Sequence, residues 1–171
     1  MSTEKYKSIA SKLKFEGRAY INGKYVDAVD GEKFETINPA NGDILCSVAK
    51  CNQKDVDLAV QSSRKAFDSG VWSRTTPEHR KEVLLKFAKL LSKEGEENSV
   101  LESVDTGKLI VDCINEVAND APMHFQWYGE LIDKVFGKVG PTDPSITSLV
   151  VREPIGVVAG VVPWNFPLMM A

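Results

Sequence analysis

Gly156-Val157-Val158-Ala159-Gly160-Val161-Val162-Pro163-Trp164-Asn165-Phe166-Pro167-Leu168 is the stretch whose reading decides the fold of this chain. A run of valine, alanine and glycine closed by a proline suits a strand buried on both faces of a parallel sheet. Pro163 ends that strand, because it has no N–H to offer a neighbour. Asn165 is then delivered just past the carboxyl end of a buried strand, where open α/β sheets hold their ligands. A side-chain amide fixed at such a place can donate to a developing oxyanion. An asparagine there can equally cap the helix that follows. The residue pattern leaves both roles open.

Working back from this stretch, Gly140-Pro141-Thr142-Asp143-Pro144 is punctuation, and Ile146 to Arg152 is loosely alternating and rich in β-branched residues, so a strand is expected. Before it, Ile110, Ile114, Val117, Ala121, Phe125, Tyr128, Ile132 and Val135 recur at helical spacing, with a kink or break expected at Pro122. A short helix is expected over about 96–104. Another starts at a Thr75/Glu78 capping box with Pro77 in its first turn and presents Val83, Leu84, Phe87, Leu90 and Leu91. Asn52 can cap a helix that carries Val56, Val60, Ala66 and Phe67 on one face and stops at Gly70.

Nearer the start, Asn22-Gly23 between Ala19-Tyr20-Ile21 and Tyr25-Val26 predicts a tight hairpin. A second strand pair, Phe34–Ile37 and Asp43–Val48, is joined through Asn38-Pro39-Ala40-Asn41-Gly42. Residues 1–19 have weak periodicity and predict a poorly ordered arm or a short helix.

A net charge of −3 gives no reason to expect nucleic acid or an anionic membrane as partner. No apolar stretch approaches the roughly 18 residues of a spanning helix, and no hydrophobic leader segment opens the chain, so the cytoplasm is the expected compartment. Cys46, Cys51 and Cys113 form no even framework and no CxxC pair, which fits reducing conditions. One of them could be a nucleophile; ordinary buried or surface thiols are the simpler reading. His79 and His124 have no matching ligand spacing, so no metal site is expected. Gly156 and Gly160 do not make a GxGxxG fingerprint.

Arg152-Glu153-Pro154-Ile155-Gly156-Val157-Val158, followed by Pro163-Trp164-Asn165-Phe166-Pro167-Leu168, resembles the NAD(P)-dependent aldehyde dehydrogenase superfamily. Ile21-Asn22-Gly23-Lys24, Asn38-Pro39-Ala40-Asn41-Gly42, Asp105-Thr106-Gly107-Lys108 and Trp127-Tyr128 carry the resemblance upstream, with its nearest look to the amino- and γ-glutamylamino-aldehyde branch. The likeness covers the N-terminal third of such an enzyme. It implies an α/β fold: an incomplete Rossmann-like cofactor domain with the start of a β oligomerisation arm. Residues 1–136 would hold the β-hairpins and helices of that domain, 137–154 the arm, and 155–171 the first strand of the dinucleotide-binding sheet.

By the same resemblance, Asn165 is the catalytic oxyanion donor, and Val161, Val162, Pro163, Trp164 and Asn165 lie along NAD or NADP. Asp120, Trp127, Phe166 and Met169 are candidates for the substrate tunnel, against a plain reading of Trp127 as core and Asp120 as a solvated helix carboxylate. Asp105 resembles a position near a monovalent cation, though local turn hydrogen bonding is its simpler role. None of the three cysteines aligns with the family's nucleophile. The expectation is therefore a fragment that lacks the catalytic cysteine and glutamate, is inactive alone and does not bind the cofactor tightly. A small aldehyde and a homo-oligomer are implied for the intact enzyme. A different reading is a non-catalytic module that associates with a full-length dehydrogenase subunit. An unpartnered apolar strand at 156–162 would also favour aggregation or oligomerisation.

Overall fold

The computed structural model describes residues 3–171. Asn22 and Gly23 take φ of 53° and 78°, the backbone of a two-residue primed turn, and across them β1 (Ala19–Ile21) pairs antiparallel with β2 (Lys24–Val26). β3 (Lys33–Ile37) and β4 (Ile44–Ala49) form a second antiparallel pair, with a register irregularity at Thr36/Ile37. Both hairpins stand where the sequence predicts them. Residues Thr3–Ala10 form helix α1, so the N-terminal arm is helical over that span. Met1 and Ser2 lie outside the described residues.

Helix α2 (Gln53–Ser69) starts at Asn52, whose side chain accepts from the Lys54 N–H, and stops at Gly70 with φ 77°. Its first turn contains a residue that the hydrophobic pattern does not mark. Asp55 is 2% exposed and accepts from the backbone N–H of Asn52 and of Val29, each at 2.9 Å. One carboxylate thereby closes the capping box and ties the loop after β2 to the helix. The apolar face expected on α2 is not covered: Val56 and Val60 remain about half exposed.

Helix α3 (Pro77–Lys93) is capped by Thr76, not Thr75. Pro77 takes the first helical position, so the residue before it becomes the cap, and Thr75 instead donates to the Trp72 carbonyl. Helix α4 (Gly95–Thr106) follows almost directly. The long pattern from Ile110 resolves into α5 (Ile110–Cys113), a π-helical segment (Ile114–Asp120) and α6 (Ala121–Leu131), with a 3-10 turn at Ile132–Lys134. Pro122 cannot donate to the Ala118 carbonyl and crowds it. The wider π turns just before the proline absorb that conflict, and the helical path continues.

The core lies among these helices. Val100, Cys113, Val117 and Ala121 are at most 2% exposed, and Ser99 is fully buried. α3 and α6 pack along their length, with Phe87 and Phe125 edge to face at 4.7 Å. α4 lies so close to the π segment that a Cβ on Gly95 would stand 2.7 Å from the Ala118 Cβ.

β5 (Lys138–Gly140) and β6 (Ser148–Val150) form a third antiparallel pair. β6 is the expected strand, shorter than Ile146–Arg152, and its partner arises from the span beside Gly140 that reads as punctuation. The three hairpins are separate. Residues 151–163 form no strand, which corrects the expectation of a buried strand over Gly156–Val162. A strand needs neighbours for its N–H and C=O groups. None of the described strands pairs with this segment, which stays unpaired. Ile155 and Val161 are 91% and 98% exposed.

Replacing Asp55 by alanine leaves two part-buried N–H groups without their carboxylate acceptor and is expected to cost about 1–2 kcal/mol. Urea unfolding monitored by circular dichroism would show a lower midpoint with an unchanged slope. Asp55→Asn should recover part of the loss.

Candidate functional site

The Pro163–Leu168 segment enters from the unpaired stretch and closes on a short helix. Trp164 and Asn165 form a turn, Phe166 occupies the position before the helix, and α7 (Pro167–Met170) follows with Pro167 in its first turn. Asn165 is exposed. Its amide does not cap α7: the capping position belongs to Phe166, and no side-chain bond closes that helix start. Val161 and Trp164 are strongly exposed, Val162 is 43% exposed, and Pro163 stands in the open between them. The sequence's candidate cofactor residues therefore lie together on one open strip of backbone.

What anchors the segment is Phe166. The Lys108 Nζ sits over its ring, 4.1 Å from the centroid. Lys108 itself is held by Glu102 at 3.4 Å and, more closely, by Glu116. All three side chains are largely buried, at 17%, 6% and 18% exposure respectively. Burial opposes the Lys108 charge, but the Glu116 and Glu102 carboxylates outweigh it and raise its pKa above the ordinary lysine value.

The aim of Lys108 is set by the turn in which it lies. Gly107 ends α4 at φ 75°, donating its N–H to the Ser103 carbonyl, and a Cβ there would meet the Pro39 ring at 2.7 Å. The Ser103 hydroxyl donates to the Lys108 carbonyl at 2.7 Å. The Thr106 hydroxyl accepts from the Lys108 N–H at 3.3 Å. Three residues before Lys108, Asp105 accepts from the Thr36 hydroxyl at 3.1 Å. It therefore bridges α4 to β3 and is not confined to its own turn.

The substrate candidates sit on neighbouring elements. Asp120 ends the π segment, Trp127 lies on α6, and Phe166 and Met169 belong to the turn and α7, which packs against both. Trp127 is 65% exposed, so it is not core. Asp120, Phe166 and Met169 are partly covered. Sequence reasoning missed Glu102 and Glu116. Each looks like an ordinary helix carboxylate, and the only available signal is their position on either side of Lys108. A cleft of about 820 Å³ opens between β3, β4, α4 and α7. Pro167 and Leu168 line it but Asn165 does not, which separates it from the oxyanion position. No group of three or more potential metal ligands occurs among the described residues. None of the described helices is long and apolar enough to cross a membrane.

The cysteines are separated by environment. Cys51 is exposed, Cys46 half-buried and Cys113 buried. Burial raises all three thiols, and Cys113, also facing Glu102, is pushed up to about 11. A thiol held protonated at neutral pH is a poor nucleophile. A disulfide reagent at pH 8 is expected to label Cys51 first and Cys46 more slowly, with Cys113 reacting only on unfolding. The raised Cys113 value also favours the fold fully below pH 9, and that contribution is lost as pH rises through about 11. Replacing Cys113 by serine should flatten this alkaline decline.

Comparison with known proteins places this geometry. The aldehyde dehydrogenase family model matches residues 25–171. Aminoacetaldehyde dehydrogenase of Pseudomonas aeruginosa is 44% identical over 170 residues, covering 99% of this chain and 34% of the relative. The NADP/NAD-dependent aldehyde dehydrogenase PuuC of Escherichia coli is 41% identical over 161 residues, covering 94% of this chain and 32% of the relative. Among solved structures, the indole-3-acetaldehyde dehydrogenase AldA of P. syringae, in complex with NAD+ and IAA, superposes with a TM-score of 0.95 at 45% identity, over 99% of this chain and 34% of that one. The gamma-glutamyl-gamma-aminobutyraldehyde dehydrogenase of Burkholderia cenocepacia gives 0.95 at 44%, with the same coverage. The chain spans about a third of the length of the curated relatives it matches. With the family model running through the β3–β4 and β5–β6 connections, the helices from α2 onward and the Pro163–Leu168 segment, the chain belongs to the aldehyde dehydrogenase family, a family of NAD(P)-dependent oxidoreductases.

Proposed function

We propose that these residues form the N-terminal third of a subunit that oxidises an aldehyde to a carboxylic acid, with Asn165 donating to the aldehyde oxygen as a nucleophile adds. The observation that carries this reading is the state of the Asn165 amide: it is exposed at a fixed turn, and the helix start beside it is taken by Phe166. An exposed amide that is not spent on capping a helix is available to an oxyanion. Val161, Val162, Pro163 and Trp164 provide an open edge of backbone that suits one side of NAD or NADP. These residues include no glycine-rich phosphate loop, so the edge alone holds a dinucleotide weakly. When bound in the complete subunit, the dinucleotide supplies the hydride acceptor.

Family resemblance assigns the nucleophile to a cysteine, and the environments of Cys46, Cys51 and Cys113 suit none of them to that role. By the same resemblance the nucleophile and the general base belong to sequence outside these 171 residues, and the polypeptide alone is inactive. An aldehyde carrying an amino group suits a wall that combines Trp127, Phe166 and Met169 with the Asp120 carboxylate. The likeness to an aminoacetaldehyde dehydrogenase supports that class. Unpaired thiols fit the cytoplasm. Exposed Val139, Leu149 and Val151 on the β5–β6 hairpin and its exit support residues 137–154 as an arm between subunits. The same apolar surface supports a second reading, a non-catalytic module that pairs with a full-length dehydrogenase subunit. Size exclusion of the chain mixed with such a subunit separates the two, since failure to co-migrate excludes the module.

Joining residues 1–171 to the remaining two thirds of the Pseudomonas relative is expected to yield NADH from aminoaldehydes, whereas the 171-residue chain alone yields none. In the joined enzyme Asn165→Ala should lower kcat by roughly 100- to 1000-fold with little change in KM. A loss of only a few-fold would remove Asn165 from the oxyanion role.

A further inference from the structure

We infer that Lys108 is a positioning residue for the Asn165 amide, acting through the ring of Phe166. This rests on the reading of Asn165 as oxyanion donor and adds to it the element that keeps that donor in place.

Little else holds the turn. Residues 151–163 have no strand partner, Trp164 is 84% exposed, and α7 spans only four residues without a side-chain cap. Phe166 lies immediately before Pro167, which disfavours the helical region for it, and its φ and ψ are −141° and 57°. Once the Phe166 ring is held, the peptide joining it to Asn165 has little freedom left. The ring is held by Lys108 Nζ at 4.1 Å. That contact is desolvated, where a cation on a ring face counts for most.

Lys108 can serve as an anchor because it cannot readily leave. Its Nζ is shared between Glu102 on α4 and Glu116 on the π segment, and withdrawing it would strand two largely buried carboxylates. Its backbone is fixed by Gly107, Ser103 and Thr106. The π turns before Pro122 carry Glu116 and so contribute directly to this clamp. A lysine in such a cluster could serve packing alone. The placement of its charge on the Phe166 ring, next to Asn165 in the chain, points to positioning.

The test uses the isotope-labelled 171-residue chain and nuclear magnetic resonance. In the unmodified chain the Lys108 side-chain protons nearest Nζ should be shifted upfield and show cross-relaxation to the Phe166 ring. Lys108→Met should move the Asn165 side-chain amide signals to unstructured positions, and Lys108→Arg should restore them, because arginine keeps a cation over the ring. Since Lys108→Met also strands Glu102 and Glu116, Phe166→Leu provides the second arm: it leaves the charge cluster intact and should release Asn165 to the same extent. Unchanged Asn165 amide signals in Phe166→Leu, with α3 and α6 still folded, overturn the inference, as does failure of arginine to restore them. These signals do not depend on turnover. A joined enzyme indifferent to Asn165→Ala would defeat the catalytic reading while leaving the Lys108 anchor standing.

Discussion

The close approach of α4 to the π-helical segment is the constraint on which the remaining packing depends. Gly95 stands where any side chain would collide with Ala118. One turn along, the buried Ser99 hydroxyl lies within hydrogen-bond distance of the Gly95 carbonyl at 2.6 Å and the Cys113 carbonyl at 3.1 Å. Small residues let two backbones meet, and the one hydroxyl at the seam has a carbonyl acceptor on either side. With this seam closed, Val100, Val117 and Ala121 fill the core behind it. The opposite end of α4 is then placed to receive Pro39 against Gly107 and Thr36 on Asp105.

The same seam organises charge. Glu102 and Glu116 come from the two elements that meet there, and Lys108 leaves the turn between them to reach both. A buried ionic cluster adds little net stability compared with apolar packing, because each ion loses its water. Its value here lies in direction. Two carboxylates on different elements define one position for the ammonium, and that position is over the Phe166 ring. The chemistry of the Pro163–Leu168 segment is thus coupled to helix packing through a single side chain.

The periphery is built differently. The three hairpins do not join into one sheet, and the most apolar stretch of the chain, 155–162, remains in the open. None of the described hairpins pairs with this stretch, and a strand exists only where its N–H and C=O groups find a partner. This explains how a segment can have a strand's composition and not its hydrogen bonds.

Sequence alone determined whatever depends on neighbours along the chain. Asn22-Gly23 dictated a primed turn because both positions accept positive φ, Pro77 and Gly70 fixed helix limits, and helical periodicity located the long helices within a few residues. It also located Asn165 in a recognisable segment. Tertiary structure decided whatever depends on residues distant in sequence. Asp55 became a cap shared with Val29, the strain of Pro122 became a π segment, Thr76 took the cap from Thr75, and 156–162 failed to become a strand. Glu102, Lys108 and Glu116 became one cluster beneath Phe166. Local rules concern φ, ψ and hydrogen bonds within a turn or two, and the sequence carries them directly. Burial, charge pairing and strand partnership depend on which surfaces meet, and only the assembled chain brings those surfaces together.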